Sequence, residues 1–258
     1  MVRGWYIGAS GMNAQQYRLD AISNNLANVD TTGYKKDVAI SKSFPELLLR
    51  RMRDDGEYQT PFGSADVAPV IGKIGLGVET NELYTIFEQG SFKETGNNTD
   101  FALSGEGFFA VMTPHGERYT RNGNFLIGKE GYQVMGEHGP LKVADKEFTI
   151  NDDGILYTSD NMEEIDRIKV VRFDNERYLA KQGSSLYSAT DISGPAYLAE
   201  GHQRPVILQN YVESSNVNVV NEMVQMIEVN RSYEANQKTI QTQDSMTSTL
   251  WSKTATIR

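Results

Sequence analysis

Residues 5–33 read WYIGASGMNAQQYRLDAISNNLANVDTTG, and the fold turns on whether this stretch is a helix. Stepping alternately by three and four residues gives Trp5, Gly8, Met12, Gln15, Leu19, Ile22, Leu26 and Val29. Six of these eight positions are apolar, while Asn13, Gln16, Arg18, Asp20 and Asn24 fall on the other faces. That spacing is an amphipathic helix with one narrow seam. Asp30-Thr31-Thr32-Gly33 supplies the stop, with Gly33 free to take the left-handed conformation that ends helices. At 1.5 Å per residue the helix spans about 40 Å.

The C-terminal stretch mirrors it. Asn218 follows the polar run Glu213-Ser214-Ser215-Asn216 as an N-cap, and Glu222 lies in the first turn. The same stepping gives Val219, Met223, Met226, Asn230, Tyr233, Gln237, Ile240, Asp244, Thr247 and Trp251. After Gly201 and Pro205 no glycine or proline interrupts the chain, so a helix of about 35 residues is expected. Asn230, Gln237 and Asp244 make its seam only partly apolar, and polar seam positions specify register and partner at a cost in stability.

Between the ends the signal is β. His115-Gly116, Asn122-Gly123, Glu130-Gly131, His138-Gly139 and Asp153-Gly154 punctuate short apolar runs such as Phe108–Met112 and Ile168–Phe173. The expected organisation is an N-terminal helix over 1–33 and an extended linker over 34–75. A mainly β domain over 76–205 and a C-terminal helical segment over 206–258 follow, with the two helical ends paired. The fold class is α+β, two long terminal helices in a coiled-coil-like axial domain plus a β middle.

Charge follows the same division. The net charge is −9. Residues 1–60 hold 8 Lys/Arg against 7 Asp/Glu, residues 212–258 hold 4 against 5, and residues 61–211 hold 13 against 22. Near-neutral ends can crowd together without strong self-repulsion, and an acidic middle disfavours nucleic acid. There is no cysteine, hence no disulfide or thiolate site. No apolar run approaches a membrane span, and residues 1–18 do not form a secretory signal peptide. The protein is expected either to stay in the cytoplasm or to leave by a route that cleaves nothing, without inserting in a membrane.

Two stretches near the N-terminus resemble the signature of flagellar basal-body rod and hook proteins: Ala9–Gln16, and Leu19–Lys35 with its Asn24-Asn25-Leu26-Ala27-Asn28 core and Thr32-Gly33-Tyr34-Lys35 end. Gly75–Val78 with Gln89-Gly90, Gly105–Phe109 and Tyr119–Phe125 agree in order along the chain. Glu213–Asn218, Glu222–Ile227 and Tyr233–Asn236 resemble the matching C-terminal signature. Ordered blocks at both ends and in the middle are far more specific than any one short motif. The length resembles the rod subunits more than the larger hook protein. The segment after Lys36 departs from the distal subunit labelled G and favours the proximal subunit labelled F, with G as the alternative.

The resemblance implies a structural subunit whose terminal helices form the inner axial layer of a hollow helical drive shaft, carrying torque from motor to hook. It implies as partners other copies of the chain, other rod and hook subunits and the flagellar type III export apparatus. It places the protein in the basal body, as periplasmic rod. The expected assembly interface is Met12, Leu19, Ile22, Leu26, Val29, Val219, Met223, Met226, Tyr233, Ile240 and Trp251.

No catalytic, cofactor or metal site is expected. His115, His138 and His202 are scattered, two of them in turns. Thr149, Asn151, Asp153, Gly154 and Asp160 only loosely echo a calcium loop, with Thr at its first ligand position and Asp at its last. Gly72–Gly77 lacks the Gly-Lys-Ser/Thr ending of a phosphate loop. The alternative functions are a secreted cell-wall-binding module or a peptidoglycan hydrolase using a pair of middle-domain carboxylates. Single alanine substitutions at His115, His138, His202, Asp152 and Asp153 should leave swimming in soft agar largely intact; loss of swimming with normal rods would reveal a ligand or catalytic site.

Overall fold

The computed structural model describes residues 2–50, 58–60, 63–65, 70–125, 133–141, 148–151, 153–158, 164–183, 185–201 and 204–255. Glu130-Gly131, Asp152, Asp160 and His202 lie outside them. The chain forms two compact units. Unit 1 comprises Met1–Ala21, Ala39–Leu83 and Val224–Arg258, and unit 2 comprises Ile22–Val38 and Tyr84–Met223. Both long helices therefore contribute to both units.

Helix α1 runs Val2–Ala27 and helix α2 runs Val219–Ala255. The first ends at Ala27, short of the Val29–Asp30 end read from its apolar spacing. Asn28 closes it, its side-chain amide donating to the Asn24 carbonyl at 2.9 Å and to Asn24 Oδ1 at 2.8 Å. Such a local bond competes with the next helical turn. Helix α2 starts as expected: Asn218 Oδ1 accepts the Asn221 N–H at 3.1 Å, an N-cap.

The segment 34–75 holds paired strands where the sequence pointed to an extended linker. They are β1 (Asp37–Ser43), β2 (Leu47–Arg50), β3 (Tyr58–Thr60), β4 (Gly63–Ala65) and β5 (Val70–Ile74). β2 pairs antiparallel with β5, β3 with β4, and β1 with β6 (Val78–Thr85). Leu47, Leu48 and Leu49 are all exposed on β2.

Unit 2 is built on antiparallel strands: β7 (Phe92–Glu94), β8 (Phe101–Ser104), β9 (Phe108–Thr113), β10 (Gly116–Thr120), β11 (Gln133–Gly136), β12 (Gly139–Pro140), β13 (Phe148–Ile150), β14 (Ile155–Thr158), β15 (Glu164–Arg167), β16 (Val170–Arg172), β17 (Ala180–Lys181), β18 (Leu186–Ser188), β19 (Tyr197–Leu198), β20 (Val206–Gln209) and β21 (Tyr211–Glu213). The main sheet is ordered β12-β11-β9-β10-β18-β17, with β16 joining β9 to β19. Its central strand β9 follows the period-2 rule, with Phe109 entering one buried cluster and Phe108 and Ala110 the other. His115-Gly116, His138-Gly139 and Asp153-Gly154 turn the β9–β10, β11–β12 and β13–β14 hairpins.

The returning chain completes the unit. β20 pairs with β8 and β21 with β7, and between them Asn210 takes φ +66, which redirects the chain from one partner to the next. The last strands before α2 thus hydrogen-bond to the first strands of the middle domain. Phe109→Ala should cost about 3–5 kcal/mol in urea unfolding. Met112→Ala, exposed on the same strand, should stay within about 0.5 kcal/mol, and equal costs would contradict the assigned strand faces.

Candidate assembly interface

In unit 2 the end of α1, the loop after it and the strand before α2 meet around one carboxylate. Glu213 is 1 % exposed. Its Oε1 accepts from Lys35 Nζ at 2.5 Å and from the Gly90 N–H at 2.9 Å, and Arg121 Nη1 lies 3.5 Å from its Oε2. Its main-chain carbonyl accepts the Gly33 N–H at 2.7 Å. Lys35 and Arg121 are as buried as Glu213, and burial lowers the pKa of both cations below the ordinary range while Glu213 works against it. Removing one partner from such a group leaves buried charge uncompensated, typically at about 3–5 kcal/mol.

Amide side chains extend the junction by acting as short pieces of strand. Asn25 Oδ1 accepts the Asp37 N–H at 2.9 Å while its Nδ2 donates to the Asp37 carbonyl at 2.9 Å. Asn216 does the same for the Lys36 N–H at 2.8 Å and the Ile86 carbonyl at 2.8 Å. Neither Asp nor Leu could do both, because each amide uses a donor and an acceptor at once. Tyr34 donates to Asn25 Oδ1, Asp37 accepts from Thr85 Oγ1 and Lys181 Nζ, and buried Glu222 of α2 accepts from Asn25.

Three glycines let the backbones close. At Gly33 (φ +65) a Cβ would stand 2.4 Å from the Asn122 nitrogen. At Gly90 it would stand 2.0 Å from the Ser214 carbonyl oxygen, and at Gly123 1.6 Å from that of Phe101. Asn122-Gly123, read from sequence as a hairpin turn, is instead this close approach. Thr32 donates to Asn122 Oδ1, and Phe101 N–H donates to the Gly123 carbonyl.

In unit 1 the helices approach over small residues. A Cβ at Gly4 would meet Gln243, one at Gly8 would stand 2.8 Å from Ile240 Cγ1, and one at Gly11 would stand 2.9 Å from Asn236 Nδ2. The numbers rise along α1 as they fall along α2, so the helices run antiparallel there. Between α1 and β6 lies an open cleft lined by Ser10, Asn13, Tyr17, Phe44, Val78, Glu79, Thr80, Glu82 and Leu83, where Ser10 Oγ accepts the Val78 N–H.

The residues expected at the interface divide on this frame. Ile22 is buried, and Met12, Leu19, Leu26, Val29, Val219, Met226, Tyr233 and Ile240 are half-buried within the chain. Met223 and Trp251 are exposed. The α1 stepping matches the covered face throughout, but the α2 stepping holds only at alternate positions. The covered face of α2 runs Glu222, Met226, Val229, Tyr233, Asn236, Ile240, Gln243 and Thr247, while Asn230, Gln237 and Asp244 face solvent. Stepping four residues from Val219 instead of three caused the slip, because it passed over the buried Glu222, placed only as an acid of the first turn. Gly4 lies opposite Gln243, so Met246, Leu250 and Trp251 run past the described part of α1 and are exposed.

Of the histidines, His115 is exposed in its turn and His138 is an exposed partner of Asp166 at 3.0 Å. The Gly154 N–H donates to the Asn151 carbonyl at 2.7 Å between β13 and β14. Among the described residues no group of three or more His, Asp or Glu is placed to hold a metal, and no helix is long and apolar enough to cross a membrane.

Gly33 and Gly96 share a left-handed φ, but nothing lies within 4 Å of a Cβ at Gly96. Gly96→Ala should cost about 1 kcal/mol from backbone strain alone, and Gly33→Ala clearly more. Equal melting temperatures for the two variants would show that the Gly33–Asn122 approach is not tight.

Comparison with known proteins agrees at both ends and in the middle. Residues 6–35 match the family described as "Flagella basal body rod protein". Residues 102–158 match "Flagellar hook protein FlgE/F/G D1 domain", and residues 208–252 match "Flagellar basal body rod FlgEFG protein C-terminal". The chain is 36% identical to the flagellar basal-body rod protein FlgG of Borreliella burgdorferi over 263 residues, covering 95% of this chain and 96% of that one. It is 34% identical to FlgG of Caulobacter vibrioides, over 92% and 94% of the two chains. It is also 34% identical to the flagellar hook-basal body complex protein FlhO of Bacillus subtilis, over 95% of each. These relatives carry the G label or the name FlhO, where the segment after Lys36 had favoured F. With both terminal motifs joined in one buried junction and matched along the whole length, the chain belongs to the flagellar basal-body rod protein family, as a structural subunit of that rod.

Proposed function

We propose that the chain polymerises through its helices into the axial layer of a hollow helical shaft that carries torque from motor to hook. The observation that carries this reading is an uncovered apolar stripe on α2. Val220, Met223, Val224 and Ile227 recur at i, i+3, i+4 and i+7 and are 70%, 49%, 56% and 54% exposed. They lie opposite the covered face of Glu222, Met226 and Val229. Met246, Leu250 and Trp251 add a second exposed group near the helix end, and Tyr6, Ile7 and Tyr17 are exposed on α1. Contiguous apolar surface of this kind marks a protein contact. Heterologous contacts repeated around an axis build a filament, not a closed dimer.

Near-neutral ends support close packing of many copies. The FlgG relatives support the distal, G-type position over the F-type. Coiled-coil pairing of the terminal helices in the shaft, delivery by the flagellar export apparatus and residence in the periplasmic rod complete the proposal. In this reading Met12, Leu19, Ile22, Leu26, Val29, Val219, Met226, Tyr233 and Ile240 hold the chain's own helices in place, and Met223 and Trp251 face neighbouring subunits.

Ile227→Glu tests the stripe. The side chain is exposed, so the monomer's melting temperature should be unchanged, while incorporation into rods and swimming should be lost. Normal rods built from this variant would remove the stripe from the interface.

A further inference from the structure

Glu213 stands where the chain's two ends meet, and the residues it serves are far apart in sequence. Lys35 precedes it by 178 positions, and Gly90 by 123. Lys35 Nζ also donates to the Glu88 carbonyl at 2.7 Å, so the cation is held by residues from the middle of the chain as well. Arg121 brings a second buried positive charge from the end of β10, next to the Asn122 that Thr32 grips. Among the groups facing this pair, Glu176 is itself only half-buried and keeps its proton more readily than an ordinary carboxylate, because burial disfavours its charge. Tyr187 holds its proton still more firmly. Glu213 is therefore the dominant neutralising charge for two buried cations.

Before Glu213 is in place, Lys35 and Arg121 cannot enter the interior without a large desolvation penalty. The two segments that carry them must stay solvated. The Asn216–Lys36 and Gly33–Glu213 bonds form only when residues 22–38 lie against the chain just before α2.

We propose that Glu213 is a completion latch: residues 22–38 order only when this carboxylate, arriving from the far end of the chain, neutralises Lys35 and Arg121. An incomplete or incompletely folded chain then cannot present an ordered N-terminal segment to neighbouring subunits. The consequence for assembly rests on the polymerisation reading above, but the latch itself is a property of the single chain and is tested there.

The test is amide hydrogen exchange, read by mass spectrometry, on the full chain and two variants. In Glu213→Gln the amides of residues 33–37 should exchange at least 100-fold faster than in the parent, while Phe108–Thr120 of β9 and β10 remain slow. Lys35→Met combined with Glu213→Gln removes one stranded cation and should restore at least tenfold of the lost protection. If Glu213→Gln unfolds all of unit 2, the same comparison is read from the melting temperature, with the double variant melting above the single one. Parent-like exchange in Glu213→Gln overturns the latch. So does a double variant no better protected than the single one, since strand pairing rather than charge would then hold the segment. Accelerated exchange as proposed with unimpaired rod assembly by Glu213→Gln would leave the latch standing and refute only its link to assembly.

Discussion

The carboxylate of Glu213 must face two buried cations at once, and much of unit 2 is arranged around that requirement. Lys35 can reach it only if the chain turns sharply after α1, which Gly33 allows with a positive φ. Arg121 can reach it only if the end of β10 lies against the same turn, which leaves no room for a side chain at Gly33, and the Phe101 backbone leaves none at Gly123. The peptide of Gly90 donates to the same oxygen and must come within contact of Ser214, so it too lacks a side chain. Charge neutralisation and glycine placement are one constraint seen from two sides.

That constraint suits a subunit of a polymer. Both helices are continuous in sequence across the division into units, and α1 and α2 are tied in unit 2 by Asn25 and Glu222. The helices divide their surfaces between two tasks. One face of α2 is covered by its own chain, and the opposite face carries exposed valine, methionine and isoleucine that gain burial only beside another molecule.

The long helices were legible in the sequence because period, cap and absence of breakers all agreed, from Trp5–Ala27 and again from Asn218 onward. The covered face of α1 was legible for the same reason. That of α2 was half legible, because its polar members Glu222, Asn236 and Gln243 are covered by neighbours on α1 that no apolar count reveals. The hairpin turns at 115–116, 138–139 and 153–154 were read correctly from their glycines. The strands in 34–75 were not, because Leu47-Leu48-Leu49 is a continuous apolar run whose period is ambiguous. Nothing in local sequence marks Lys35, Arg121 and Glu213 as partners. Their signal is chemical and non-local: two cations and one carboxylate in segments otherwise dense with glycine and small polar residues.

The junction of the two ends belongs to the core of unit 2 and is not a surface clasp. Native-state amide exchange in rising urea measures this directly, comparing Gly33, bonded to the Glu213 carbonyl, and Ser214, bonded to the Ser91 carbonyl, with Ala110 of the central strand. All three amides should converge on one urea-dependent isotherm, opening only with the unit as a whole. Exchange of Gly33 and Ser214 through a low-energy opening that does not respond to urea, with Ala110 still protected, would contradict it.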